Sequence, residues 1–552
     1  PLMDRAWNTR GHWMAHNLVW RCEATMKRCV LYGEKELLCE VIERMKREQL
    51  IITTEEGIQC DFSFHQHKSQ LYNGGYGLKF QEDMPWWLDK LRDTPFAFSS
   101  EDIQIISSLI LEGTQWMTRG EVLDYACQGR NNGIIPHAHH KAKTLIPVCE
   151  QMMAADPEHA TQYQFYIDCI QGKQTLSGNR HFWRSDFMAH HRPQYYTSVR
   201  MFSTRTVGFE IIPKSPQGKR NAHRSDGITY IIRNGQEYAG NVFPTWNWRR
   251  LPGTTTEQHD GPFPWSEKSH YIFGQTAFVG AASDGTYGVA GYDFLKPADI
   301  GDAPNTVQAK KAYFYFDDEF VCLGAGITGH RPHPINTTLN QCQLTGEIHI
   351  GYANGDRQTV QKETETVLNA PQYIWHDQIG YVFPEATPVN VLAKQQTGRI
   401  VDLFDFGSDE WLYEDIFCLY QDHGVQPTDE HYQYIVVPSV TENELRQYVK
   451  TSHIQVISNT ETLQAVCHDQ LGVSGIVFYQ PGHIQLTENI KVSVDHPCIA
   501  LIREMGQTIQ VALSNPENTE AEITLQINNH ELHFFIPSGQ YAGQSIIQTV
   551  TL

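Results

Sequence analysis

The apolar residues of this 552-residue chain change their period near residue 172, and that change limits the fold more than any single motif does. Upstream the pattern is helical. Between Glu34 and Gln49, Leu38, Val41, Ile42 and Met45 fall on one helical face with charges opposite. Ser99 and Asp102 have the spacing of a capping box at the head of a second helix, with Ile103, Ile106, Leu109 and Ile110 as its stripe. A third helix is predicted from Asp156-Pro157, an N-cap followed by proline at the first helical position. Downstream the period is two. GITYIIR (227–233), KAYFYFDDEFVCLG (311–324) and EITLQIN (522–528) alternate or run apolar between Gly, Pro, Asn and Asp turns. Helices first and strands afterwards imply domains in series, not an alternating α/β sheet. The predicted fold is therefore multidomain α+β: a helical domain over 1–172, a large β domain over 173–455 and a smaller β domain over 456–552. The second boundary is drawn where ENELRQYVKTSH (442–453) separates two strand-rich stretches. No tandem repeat or low-complexity tract interrupts the pattern.

A chain of this length is too long for one core, and 40% hydrophobic with 19% charged residues is ordinary for a folded soluble protein. The net charge of -20 argues against nucleic acid or an acidic membrane surface as a partner, while permitting a locally basic cleft. No apolar run is long enough to span a bilayer and no signal peptide stands at the start, so no membrane insertion is expected. The chain opens with Pro1, which is the expectation for a fragment or a processed product. Twelve cysteines without a C-x-x-C pair are expected to be buried thiols. His137, His139 and His140, and the pair His190 and His191, lack regular helical spacing plus a third ligand, so hydrogen-bonded histidines are expected there, not a metal.

The segment DFSFHQHKSQLYNGGYG (61–77) sets His67 nine residues before Tyr76 in a stretch too rich in glycine and aromatics for an ordinary helix or strand. An imidazole and a phenol held together can share proton transfer. Taken alone, the pair is better served by a loop whose His and Tyr only satisfy local hydrogen bonds.

Several further segments resemble polysaccharide lyase family eight, which includes hyaluronate, chondroitin AC and xanthan lyases. Asn17 in HWMAHNLVW precedes His67 by fifty residues, Tyr76 follows in H-x8-Y, and Gly129-Arg130 in LDYACQGRNNG supplies the family's GR pair. HHRPQYYTSVRMFSTRT (190–206), followed by Glu210, is similar to the start of its β domain. WNWRRLPGTTT (246–256), FVGAASDGTYGVAGYDF (278–294) and GYVFP (380–384) fit in the same order. The resemblance covers nearly the whole chain. It implies an incomplete (α/α) toroid followed by a large antiparallel β-sandwich and a smaller C-terminal one, with helices that should precede Asn17. The family's Trp pair that lines the cleft has no counterpart upstream of Asn17, and Trp86-Trp87 are read as core packing. Two departures fall near the substrate set: Ile134 and Pro213 stand where the family has Arg and Asn, with Asn131 or Arg205 as candidates to compensate.

The resemblance further implies β-elimination of an acidic polysaccharide such as hyaluronan or chondroitin sulfate, leaving a 4,5-unsaturated uronate. The proton on C5 lies beside a carboxylate that resists further negative charge, so donors must face it. The resemblance gives that role to Asn17, with His67 donating a second bond or assisting as a base. Tyr76 is expected to move the proton. A phenol ordinarily titrates near ~10, so it needs a neighbouring cation, for which Arg130 is suited. Glu210 is expected to hold Arg130 or His67, or to form an interdomain ion pair. Catalysis requires no cofactor, and a structural calcium ion is left open. The family's members are generally exported, implying a secreted or periplasmic protein. A glycoside hydrolase with paired carboxylates, or a binding remnant that does not cleave, are the alternatives. The sugar, its sulfation, endo or exo action and the oligomeric state are not written in the sequence.

Overall fold

The computed structural model describes residues 13–51, 56–131, 137–213, 217–297 and 307–551. The chain divides into two compact units, Pro1–Thr175 and Leu176–Leu552. In the first, the helices Ala15–Tyr32 and Lys35–Arg47 form a hairpin closed by Gly33, whose φ of 71° suits a left-handed helix cap. Val41, Ile42 and Met45 are its buried stripe, as the sequence predicts. The helix Ser100–Ser108 starts on the predicted capping box, with both the Ser99 and the Asp102 side-chain bonds formed. It runs into a π-helical turn, Leu109–Gly113. At Gly113 an added Cβ would lie 2.2 Å from the Phe62 carbonyl oxygen, so glycine lets the site-bearing loop pack against this turn.

The third predicted helix starts differently. Pro157–His159 forms one 3₁₀ turn before the helix Ala160–Ile170, and Asp156 does not cap it. Its buried carboxylate instead accepts hydrogen bonds from the Ser107 and Tyr163 hydroxyls and contacts His159 Nδ1 at 2.9 Å, joining two helices. A buried anion with several side-chain partners outcompetes an exposed local cap.

Of the antiparallel sheets in the second unit, four stack in layers. A five-stranded sheet, including Pro334–Gln343 and Leu412–Val425, faces a nine-stranded sheet that includes Val307–Tyr315, Phe320–Gly329 and Glu430–Pro438. His376 and Phe417 stack across that interface at 4.2 Å, and the Asn340 amide donates to the Tyr381 hydroxyl at 2.7 Å. The other face of the nine-stranded sheet packs on a six-stranded sheet, which in turn covers a four-stranded one. Alternation explains how one strand serves two cores. In Cys498–Met505, Ile499 and Leu501 join the cluster with Phe314 and Val477, while Ala500 and Ile502 face Leu525 and Phe534. A strand buried on both faces therefore reads as the unbroken apolar run CIALI.

GITYIIR forms the strand Ile228–Ile232, KAYFYFDDEFVCLG spans a hairpin, and EITLQIN gives Ala521–Ile527. ENELRQYVKTSH is not a plain spacer. It holds the helix Glu442–Thr451, started by a capping box between Thr441 and Glu444, with Leu445 buried against Gly380. The twelve cysteines are free thiols, buried except for the half-buried Cys39 and Cys169.

Candidate active site

His67 lies on a loop whose backbone is strained. His67 and Lys68 have φ of 57° and 67°, a left-handed conformation that costs about 1–2 kcal/mol for each residue bearing a Cβ. Such strain persists only where neighbours fix it. Here the Glu56 carboxylate accepts the Gln66 amide and the Lys68 N–H, the latter at 2.8 Å. Burial pushes the Glu56 carboxyl above its usual range, against the pull of the Lys68 N–H. Buried Asn73 fixes the other side: its Oδ1 accepts the Phe64 N–H at 2.7 Å, and its amide donates to the Phe62 carbonyl and Thr114 hydroxyl.

The same loop ends in Gly75, and Tyr76 is the first residue of the helix Tyr76–Leu91. The Tyr76 ring packs edge-on to His67 with centroids 5.0 Å apart. Arg130 reaches both from the 3₁₀ turn Gly129–Asn131. Its Nη1 donates to His67 Nδ1 at 2.7 Å and its Nη2 to the Tyr76 hydroxyl at 3.2 Å. A guanidinium only donates, so His67 Nδ1 accepts and the neutral ring carries its proton on Nε2. Gly129 is required beside Arg130: its φ is 58° and an added Cβ would stand 1.7 Å from the Tyr72 ring.

Asn17 occupies the first turn of the helix Ala15–Tyr32 and is half-buried. The head of that helix is fixed on both sides. The Ala15 N–H donates to the Glu48 carboxylate, and the buried His16 ring bonds through Nε2 to Asp83 at 2.8 Å. Asp83 is on the Tyr76 helix, so His16 joins the elements carrying Asn17 and Tyr76, and its ring lies 6.4 Å from that of Tyr76.

Glu210 belongs to the β unit, buried in the strand Val207–Ile211 opposite Tyr271. It lines a cleft of about 1040 Å³ together with Pro213, Arg220, Trp248, Arg249 and Trp265. Ile134 lies outside the described residues. Arg205 does not suit the compensating role: its guanidinium is tied to the carbonyls of Ala277, Val279 and Pro516 and to Asp186 within the β unit. Asn131 ends the Arg130 turn and is half-buried. Of the tryptophan pair, Trp87 is core as expected, but Trp86 is 42% exposed, because adjacent helical positions point about 100° apart.

The other histidines have local partners. His139 bonds to the Tyr125 hydroxyl and His140 to Glu121, while the side chain of His137 lies outside the described residues. His190 donates to the Phe316 carbonyl at 2.8 Å and stacks on Tyr315, whereas His191 packs on Tyr196. Adjacent strand positions face opposite ways, which separates the last two. Three residues of the site are not among those expected from the sequence: Tyr72, His16 and Glu56. Tyr72, four residues before Tyr76 in the same aromatic segment, was the one with a legible signal.

Three family models match in order: the polysaccharide lyase family 8 N-terminal alpha-helical domain over residues 3–167, its super-sandwich domain over 177–449 and its C-terminal beta-sandwich domain over 455–524. Chondroitinase-AC of Pedobacter heparinus is 30% identical over 539 residues, covering 94% of this chain and 73% of that protein. A hyaluronate lyase of Thermasporomyces composti is 26% identical, covering 93% of this chain and 69% of that protein. Among solved structures, a chondroitinase AC lyase studied in oligosaccharide complexes superposes with a TM-score of 0.90 at 29% identity, covering 99% of this chain and 80% of that one.

Proposed function

This chain belongs to polysaccharide lyase family 8, and on that footing we propose that it cleaves a uronic-acid glycosaminoglycan, hyaluronan or chondroitin, by β-elimination. The observation that carries the reading is the Arg130 fork, which reaches both His67 Nδ1 and the Tyr76 hydroxyl. Donation from a permanent cation stabilises a phenolate, the form of Tyr76 able to act as a base.

In the proposed reaction the Tyr76 phenolate takes the C5 proton of the uronate. The C5–H electron pair becomes the C4=C5 double bond, the bond from C4 to the linking oxygen breaks, and that oxygen takes the proton back from Tyr76. Charge that builds on the carboxylate meets the Asn17 amide and the Nε2–H of His67. With Nδ1 occupied by Arg130, His67 is suited to donation from Nε2, not to service as the base. These steps use side chains alone and call for no cofactor.

We read the helical unit as part of an (α/α) toroid and the site of action as outside the cytoplasm, secreted or periplasmic. No helix among the described residues is long and apolar enough to cross a membrane. The test is Tyr76→Phe, which keeps the ring and removes the transferable proton. It is expected to abolish formation of the conjugated double bond from hyaluronan or chondroitin while leaving polymer binding close to wild type. Substantial residual elimination would overturn the assignment.

A further inference from the structure

Tyr72 is fully buried and sits beneath the three residues that carry the proposed chemistry. Its hydroxyl accepts two hydrogen bonds from one residue: the Arg130 main-chain N–H at 3.0 Å and Arg130 Nη1 at 3.3 Å. The two contacts fold the arginine back over its own backbone and fix the direction of its fork. The Tyr72 ring meets His67 and Tyr76 edge-on, with centroids 5.7 Å and 5.3 Å away.

The recess around this ring is built from glycines. A Cβ added at Gly75 would stand 2.6 Å from the ring, closer than Cβ contacts allow, and at Gly129 there is no room at all. A phenylalanine would fill the same recess, so ring packing alone does not require a tyrosine. What the hydroxyl adds is the grip on Arg130.

We propose that Tyr72 is a positioning residue for the elimination, acting through Arg130: its hydroxyl holds the guanidinium where one arm meets His67 and the other meets Tyr76. The inference rests on the lyase reading above. Tyr72 is not assigned contact with the substrate, and no proton of the reaction passes through it.

Tyr72→Phe removes the acceptor and keeps the ring. With hyaluronan or chondroitin as the probe polymer and the conjugated double bond as readout, kcat is expected to fall about 10–100-fold, the scale of a small misplacement of a reacting group, with KM close to unchanged. The decisive readout is the pair with Arg130→Ala. If Tyr72 acts through Arg130, Tyr72→Phe costs little further once Arg130 is gone. An equal loss in both backgrounds, or full activity of Tyr72→Phe, overturns the proposal. Should Tyr72→Phe fail to fold, Tyr72→4-aminophenylalanine, similar in size and polarity but a poor acceptor, carries the same expectations. Absence of unsaturated product from the wild-type chain would instead count against the lyase reading itself.

Discussion

The loop from Asp61 to Gly77 and the six-stranded sheet of the β unit solve opposite problems. The loop departs from regular structure, with positive φ at Phe62, His67 and Lys68, and pins itself with side-chain bonds from Asn73 and Glu56. The central strands of the sheet keep a period of two and fill both faces mainly with aliphatic groups. In the loop and the Gly129–Asn131 turn beside it, single atoms matter: the Tyr72 hydroxyl, the missing Cβ of Gly129 and the Nδ1 of His67. In the sheet, volume matters, and many residues share each function. Titratable groups follow the same division. Some histidines of the β unit are buried for structure, with His376 pushed down to about 3 and His181 to about 4 by loss of solvent. His67, Tyr76 and Arg130 are instead only half-buried, as groups that must meet a polymer have to be.

Three changes probe this contrast, the strongest first. Gly129→Ala drives a Cβ into the Tyr72 ring from a left-handed backbone position. Turnover is expected to fall by about a thousandfold, the scale for losing an aimed catalytic donor, because Tyr72 and Arg130 shift together. Separate melting of the β unit should stay unchanged; retention of near-normal turnover would show that the recess tolerates movement. Ile499→Ala empties a filled core position and is expected to lower stability by about 2–5 kcal/mol in denaturant titration. At temperatures where the variant is folded, its kcat should match wild type, and a loss of kcat would tie the sheet directly to the site.

The third effect, absent at neutral pH, is on acid stability. His376 and His181 have folded values below the ordinary ~6.5 of the unfolded chain. Between those values the unfolded state binds more protons, so this contribution is full above about pH 6.5 and is lost as pH falls towards 4 and then 3. Thermal melting of the β unit should drop through that window, and replacing His376 with Gln should flatten the drop. An unchanged slope would mean that other groups control the acid limb.

Much of this division is legible in the chain. The capping box at Ser99 and the stripe at Val41, Ile42 and Met45 are local signals, set by neighbours three or four residues apart, and the structure forms both. Asp156 misleads because its carboxylate is taken up by Ser107 of another helix and by Tyr163 further along its own, which replace a local cap. At the site, His67, Tyr76 and Arg130 are found by the spacing of a family pattern, and the structure brings them together. His16 and Glu56 escape that reading because they act on other side chains and their value depends on a tertiary approach that no spacing encodes, whereas Tyr72 stands in the aromatic segment itself, four residues before Tyr76. Arg205 shows the converse: a cation near the expected region in sequence, yet tied to backbone carbonyls.

The central claim is that this chain breaks its polymer by elimination. The most direct measurement follows ultraviolet absorbance of the conjugated uronate and new reducing ends together during digestion of hyaluronan and chondroitin. The account predicts one double bond for each new reducing end. Reducing ends without that absorbance would contradict it by showing hydrolysis, and polymer binding with neither signal would contradict it by showing a chain that binds without cutting.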